Sequence, residues 1–215
     1  MGVNIMVRLG ILLLGTLISS HLAHAIDVSS DTSQTESTVY LRITEVARVI
    51  AQESDSAVIL APDVDESIML KLPASVSRED LAENVSEALK LFDHYLVELP
   101  GVIVLSASPR ARDDIVTRLW RNEIATDQLA VDSDYHDDPL NVVVEDWPLE
   151  EFVDRFRIVV GKDVDFQSNG DERITVFGPE NIAVLKFFDM ALTVFAVHGR
   201  YLIQDGTGLK IRRTP

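Results

Sequence analysis

The sequence predicts an α+β protein made of two tandem copies of one small module. Three observations lead to this prediction. Residues recur at a fixed offset, so that Val58 matches Val164, 106 positions later. Short β-branched runs alternate with apolar residues at helical spacing, which is typical of mixed strands and helices. Hydrophobic residues make up 47% of the chain, enough for a packed core.

The internal repeat includes turn residues and a proline as well as apolar positions. The identical pairs are Val58 and Val164, Asp65-Glu66 and Asp171-Glu172, Ile68 and Ile174, Pro73 and Pro179, and Tyr95-Leu96 and Tyr201-Leu202. Chance agreement among apolar residues does not keep turns, proline and apolar phase in register together. The sequence therefore indicates a duplication, which fixes the architecture before any single element is considered.

Each copy is predicted to run β-α-β-β-α-β-β, a small mixed sheet with two helices on one face. In the second copy, a strand at 141–145 precedes a helix that begins near Pro148 and ends at Gly161. A second helix is predicted over 179–197, and a hairpin around Asp205-Gly206. The first copy follows the same order, with Ser77 as a helix N-cap and a hairpin at Pro100-Gly101.

The predicted boundaries divide the chain into five parts. Residues 1–25 have the charge, the short apolar run and the Ala23-His24-Ala25 site of a secretory signal peptide. Residues 26–37 are a polar, disordered lead-in. The first module spans 38–108, a connector spans 109–139, and the second module spans 140–214. In the connector, residues 114–121 (DIVTRLWR) alternate enough to predict an extra strand.

The charge of the chain restricts its partners. With 19 basic and 35 acidic residues, the net charge is −16. Such a chain repels phosphate backbones and anionic membrane surfaces, which argues against nucleic acid and direct membrane binding. A basic protein surface remains a suitable partner. The chain has no cysteine, so it forms no disulfide and no thiolate metal site.

The sequence does not predict any catalytic, cofactor-binding or metal-binding residue. His94 and His198 are placed near helix C-termini, where an imidazolium is favourable. His136 lies among acidic residues including Asp134, a weak alternative for a divalent ion. Residues 163–170 faintly resemble a calcium loop, but the spacing of the glycine and the acids does not fit.

The helix predicted over 179–197 is apolar on nearly all sides, which means burial on more than one side. One small sheet covers only one of those sides. Two alternatives remain for what packs against the other sides of this helix: the chain's own segments, such as 115–120, or a second protein. The residues predicted to form a partner interface are Phe187, Phe188, Met190, Leu192, Val194 and Phe195.

The run WPLEEF at 147–152 and the closing hairpin at 201–206 resemble the short N-terminal (STN) domain shared by bacterial secretins and TonB-dependent transducers. The first copy is similar through 45–52, 58–62 and 95–106, and 118–121 resembles the strand that links secretin domains. The resemblance implies a periplasmic domain that contacts an outer-membrane barrel or inner-membrane machinery. Because no barrel segment is recognised, the modules are expected to act alone or to serve a barrel made by another chain, as in a divided secretin.

The leading hypothesis is a non-enzymatic, periplasmic protein–protein interaction module of a protein secretion or pilus system. Under this hypothesis the protein is associated with the outer membrane through a partner and forms homo-oligomers. One alternative is a periplasmic signalling adaptor of the TonB-transducer type, which binds a regulator. Another is a metal-dependent hydrolase with an unrecognised site, for which the loss of activity on substitution of His136 or Asp134 would be evidence.

Overall fold

A computed structural model describes residues 38–74, 78–131, 139–168 and 170–214, and these residues form six helices and ten strands. The predicted α+β class is confirmed. In chain order the elements are β1 Thr38–Arg42, α1 Ile43–Ser54, β2 Ala57–Leu60, β3 Met69–Pro73, α2 Arg78–Lys90, β4 Tyr95–Leu99, β5 Val102–Ser106, α3 Ala111–Leu119, α4 Thr126–Val131, β6 Val143–Pro148, α5 Leu149–Val160, β7 Val164–Phe166, β8 Arg173–Phe177, α6 Val184–Val197, β9 Arg200–Asp205 and β10 Gly208–Arg213.

The strand pairings of residues 38–106 (repeat 1) recur in residues 143–213 (repeat 2). In the parallel pair β2–β5, Val58 lies opposite Ile103, and 106 residues later Val164 of β7 lies opposite Leu209 of β10. The hairpins β4–β5 and β9–β10 also have the same register at that offset. The antiparallel pair β1–β3 corresponds to β6–β8, but the register differs: Val144 pairs with Val176 where the offset would give Pro179, and a bulge between Val144 and Trp147 shifts it again.

The arrangement of sheets differs from the prediction of one mixed sheet per module with helices on one face. In repeat 1, β1 and β3 form a two-stranded sheet, and β4, β5 and β2 lie together in a second sheet. Helix α2 packs against both β3 and β4, so the helix pair lies between the two sheets. This arrangement buries apolar helix residues on two sides instead of one, which a single small sheet cannot do.

The two repeats share a sheet. Strand β8 of repeat 2 pairs antiparallel with β2 of repeat 1, giving a five-stranded sheet in the order β4-β5-β2-β8-β6. One face, including Ile103 and Phe177, packs on α1 and α2; the other, including Ile59 and Val104, belongs to the core around α5 and α6. Strands β2 and β5 are therefore buried at every position, which explains their uninterrupted apolar sequences.

The layers alternate through residues 38–214: sheet β1–β3, helices α1 and α2, the five-stranded sheet, helices α5 and α6, and sheet β7-β10-β9. Each repeat alone is a helix pair between two sheets. The second repeat is added by merging its two-stranded sheet with the three-stranded sheet of the first. The module thus associates with its own copy through strand addition.

The turns also follow the repeat. Helices α1 and α5 end at left-handed residues 106 positions apart, Asp55 (φ 54°) and Gly161 (φ 65°). The predicted hairpin glycines, Gly101 (φ 70°) and Gly206 (φ 62°), are both left-handed, a conformation that glycine adopts without steric cost. The two predicted hairpins are confirmed as β4–β5 and β9–β10.

Three predicted elements are corrected. Residues 114–121 lie in helix α3 and the turn after it rather than in a strand, because Ala111 and Ile115 share one helical face that is buried. The predicted helix at 179–197 begins only at Val184, since Ile182 forms a bridge with Leu140 in extended backbone. The strand predicted at 141–145 spans 143–148. The lead-in at 26–37, the signal peptide and Ser77 lie outside the described residues.

Candidate functional site

The predicted partner interface on α6 is wrong: its six residues form the interior of the chain itself. Phe188, Met190, Val194 and Phe195 are completely buried, and Phe187 and Leu192 are nearly so. The Phe195 ring makes edge contacts with Phe152 and Phe156 of α5, at centroid distances of 6.2 and 5.2 Å. These side chains are therefore not a free surface for a second protein.

The connector supplies the missing cover for α6. Helices α3 and α4 both pack against it, with Ile115, Ile124 and Leu129 buried in the same core. Arg118 of α3 donates a hydrogen bond of 2.9 Å to the Ala196 carbonyl in the last turn of α6. Of the two alternatives that the sequence left open, the structure therefore has burial of the helix by the chain's own segments.

A cleft of about 560 Å³ lies between the repeats, where the loop after β2 faces repeat 2. A hydroxyl connects its two sides: Thr175 Oγ1 donates to the Glu66 carboxylate at 2.7 Å and accepts from the Asp146 N–H at 3.1 Å. Arg173 donates to the Asp146 carbonyl at 2.7 Å. The Thr175–Glu66 hydrogen bond therefore joins the two repeats, and Thr175 and Arg173 hold the Asp146 backbone beside it.

Glu172 forms the second polar centre of the cleft. Arg200 donates to one of its carboxylate oxygens from Nε (3.2 Å) and Nη2 (2.8 Å), and Arg213 donates to the other at 2.9 Å. Arg200 is only 2% exposed, and its guanidinium also lies over the Phe166 ring. A buried cation with this set of partners is a structural ion pair, since each partner reduces the cost of removing it from water.

His198 lines the same cleft as the residue that follows α6. Its Nε2 is buried and has no hydrogen-bond partner among the described residues. Burial lowers the pKa of His198 to about 4; the nearby Glu172 carboxylate opposes this shift and Arg200 adds to it. His198 is therefore neutral at pH 7, and the imidazolium expected at this helix end is corrected, because desolvation outweighs the helix dipole.

This histidine makes stability depend on pH. Its folded pKa lies below the unfolded value of 6.5, so the unfolded chain binds the proton first as the pH falls. We expect His198 to remove about 3 kcal/mol of unfolding free energy between pH 6.5 and pH 4. Urea denaturation across this interval, compared with His198→Gln, measures the effect. Parallel losses in the two proteins would contradict it.

The outer edges of the sheets are treated differently in the two repeats. On β9, the Leu202 N–H donates to Asn122 Oδ1 at 2.7 Å, and the Glu123 N–H donates to the Leu202 carbonyl at 3.0 Å. On β7, the Arg157 guanidinium donates twice to the Val164 carbonyl, at 2.9 and 2.7 Å. Among the described residues, no backbone hydrogen bond is made to the outer side of β4.

The remaining candidates from the sequence do not assemble into a site. Asp165, in the segment that resembles a calcium loop, forms an ion pair with Lys210. His94 is buried, with Nδ1 2.6 Å from the Phe92 carbonyl oxygen. Within the described parts of the chain, no cluster of three or more acidic or histidine side chains is arranged for a metal, and no helix has the length and apolarity to cross a membrane. Asp134 and His136 lie outside those parts.

Sequence reasoning missed the open edge of β4 and the Glu172 ion pairs. The repeat carried a signal for the first: Gln204 of the covered strand β9 is replaced by Glu98 in β4. No comparable signal marked Arg200, whose burial follows from the packing of β9.

The fold and its edges define a duplicated α+β protein in which one copy covers its outer strand, while no described residue bonds to the outer strand of the other. The chain matches no protein-family model. It likewise matches no curated protein and no solved structure.

Proposed function

We propose that this protein is a non-enzymatic, exported interaction module that binds other proteins in the periplasm, as a component or accessory of a protein secretion or pilus system. One observation carries the proposal: the two repeats join by strand addition, β8 onto β2, and the resulting sheet ends in β4, whose outer side has no backbone hydrogen bonds among the described residues. Open strand edges recognise partner proteins through main-chain hydrogen bonds.

The cleft between the repeats supports a structural role for its charged groups. The carboxylates of Glu66, Asp146 and Glu172 are bound by Thr175 or by arginines, and the His198 Nε2 is buried. A general acid or nucleophile needs an accessible atom at the substrate, and these atoms are either bound to other side chains or buried.

The outer face of sheet β7-β10-β9, at the repeat 2 end of the layers, is polar, which argues against partner binding on that face. Ile59 and Val104 of repeat 1 correspond, at the offset of 106, to Asp165 and Lys210. The apolar pair is buried in the shared core, whereas the polar pair forms an ion pair on the outer face of sheet β7-β10-β9. A polar terminal face is the usual way to end a stack of repeats, so we assign partner binding to the edges of the five-stranded sheet and not to the outer face of repeat 2.

The proposal is tested by photo-crosslinking in the native cell. A photoreactive amino acid is placed at Glu98 on β4 or Val143 on β6, both exposed, and at Arg212 on the outer face of repeat 2 as control. We expect adducts from the edge positions, not from the control, and identification of a secretin barrel or inner-membrane secretion protein. A regulator's periplasmic domain would instead support the signalling alternative, and the absence of adducts at both edges would overturn the proposal.

A further inference from the structure

We propose that the outer edge of β4 binds an extended segment of a partner protein in which apolar and basic side chains alternate. This inference rests on the proposed function, because it names the site on this protein and the chemistry of the partner that the site binds. The protein itself contains a template for such an edge, in the corresponding strand of repeat 2.

The template is β9 with the connector residues beside it. Leu202 uses both its N–H and its carbonyl, which bond to Asn122 and Glu123 respectively. The Gln204 N–H donates to the Glu123 carboxylate at 3.3 Å. The outward-pointing groups of this edge are thus those of residues 202 and 204, and a short connector segment satisfies them.

The same groups of β4 point outward. The hairpins β4–β5 and β9–β10 have identical registers at the offset of 106, with Tyr95 opposite Ser106 and Tyr201 opposite Arg212. Leu96 and Glu98 therefore occupy the positions of Leu202 and Gln204. Within the described ranges, neither residue makes a backbone hydrogen bond outside the β4–β5 ladder. The edge offers the donors and acceptors that an added strand requires.

A groove of about 400 Å³ adjoins this edge, on the side of the sheet that faces α1 and α2. Its lining combines apolar side chains with carboxylates and hydroxyls. The apolar lining residues are Ile50, Leu81, Leu99 and Ile103, and the polar ones are Glu53, Ser54, Ser56 and Glu98. Strand addition with a pocket for a side chain is a recurring mode of peptide recognition, in which the main chain supplies affinity and the pocket supplies specificity.

Repeat 2 has filled the corresponding space with larger residues. Ile50 corresponds to Phe156 and Leu81 to Phe187, and both phenylalanines are buried in the core of repeat 2. Ser54 corresponds to Val160, which is also buried. Repeat 1 therefore combines a groove with an edge that no described residue covers, whereas repeat 2 has larger, buried side chains at the corresponding positions beside its covered edge.

Charge selects the occupant. In β9, the Gln204 N–H donates to the Glu123 carboxylate. At the corresponding position β4 has the exposed Glu98, whose charge would repel an acidic segment. The chain's own residues 26–37 contain three acids and no base, so they are disfavoured at this edge. A second copy of the chain brings a net charge of −16. An added strand turns alternate side chains to opposite faces, and Glu98 and the groove lie on the same face. Basic side chains on that face place their apolar stems over the apolar residues of the groove and their charges beside Glu98, while the apolar side chains of the segment lie on the opposite face.

The test uses the full mature chain and a fluorescein-labelled heptapeptide, Lys-Val-Lys-Val-Lys-Val-Lys, with fluorescence anisotropy at about 0.15 M salt, where charges farther away than about 8 Å are largely screened. We expect saturable binding that weakens at least about tenfold in Glu98→Lys, because attraction at this position becomes repulsion. We expect Glu98→Pro, which removes an outward N–H, to weaken it similarly, since proline cannot donate to the added strand. The Glu-Val peptide of the same length should bind wild type poorly and Glu98→Lys better.

Two controls separate the site from net charge. Glu180→Lys makes the same charge change on an exposed residue of repeat 2, and Gln204→Lys alters the covered edge. Both should leave binding within about twofold of wild type, because surface charges away from the contact act only weakly at this range. Equal losses in Glu98→Lys and Glu180→Lys would mean nonspecific attraction and would overturn the proposal.

Amide hydrogen exchange gives an independent readout. We expect the Leu96 and Glu98 amides to exchange fast in the free protein and to become protected when the peptide binds, while those of Leu202 and Gln204 are protected throughout. Protection of Leu96 and Glu98 without peptide would show that the edge is covered by the chain itself, or, if it depends on concentration, by a second copy; either result overturns the proposal. If the peptide fails but crosslinked partners are found at Val143, this site is wrong and the proposed function stands.

Discussion

Replacing Phe195 by alanine is expected to lower the free energy of unfolding by about 3–5 kcal/mol. The ring is completely buried in α6 and makes edge contacts with Phe152 and Phe156. Its removal loses the apolar burial, leaves a cavity that close-packed neighbours fill only partly, and breaks two aromatic contacts. Urea denaturation monitored by circular dichroism measures the change.

Leu185→Ala is the matched control, because Leu185 lies on the same helix and is 44% exposed. It should cost about 1 kcal/mol or less, since nearly half of its surface already contacts water in the folded protein. The result that contradicts the burial of α6 is a Phe195→Ala protein of nearly normal stability that fails to bind a partner. In that case the phenylalanine surface would be an interface after all.

The order of elements could be predicted from the sequence because both copies carry the same local signals. Gly101 and Gly206 lie in the hairpin turns, as predicted. Helix α5 begins directly after Pro148 and ends before Gly161, at the boundaries that the sequence predicts. These signals act over a few residues, so they survive without knowledge of the tertiary structure. The offset of 106 adds a second example of each element, which corrects ambiguous assignments in either copy.

The division of strands between sheets could not be predicted, because it depends on long-range pairing. Nothing local tells that β3 pairs with β1 rather than β2, or that β8 crosses to the other repeat. The connector shows the same limit. Its apolar residues Ile115 and Leu119 fit a helix as well as a strand, and the packing of α3 on α6 decides between them.

The candidate site shows why an apolar helix is a poor guide to an interface. Every residue chosen on α6 is apolar, and the chain itself buries them. The edge of β4 differs from its counterpart β9 instead in its neighbours: Asn122 and Glu123 bond to β9, and no residue in the described part of the chain bonds to the outer side of β4. A position-by-position comparison of the repeats could have identified Glu98 as a candidate from the sequence, because it is charged where repeat 2 has the neutral Gln204. That difference indicates a binding edge only once the structure shows that β4 lies at the edge of the sheet.

Replacing Glu172 by glutamine is expected to cost about 3–5 kcal/mol of unfolding free energy, because it leaves a buried cation without its counter-charge. Arg200 is 2% exposed and directs two N–H groups to this carboxylate. The amide preserves the shape of the side chain but carries no charge and has only one oxygen, so it does not compensate the desolvated guanidinium.

Glu180→Gln, an exposed change of the same chemistry in the same repeat, should stay within about 0.5 kcal/mol of wild type. The double variant Glu172→Gln with Arg200→Met distinguishes a missing counter-charge from lost packing. Because it removes the buried charge as well, it should recover part of the stability, since apolar replacements of a buried pair are often neutral or stabilising. A double variant as unstable as the sum of its single changes would show that Glu172 and Arg200 act independently, and that the cleft is held by its shape instead of by this ion pair.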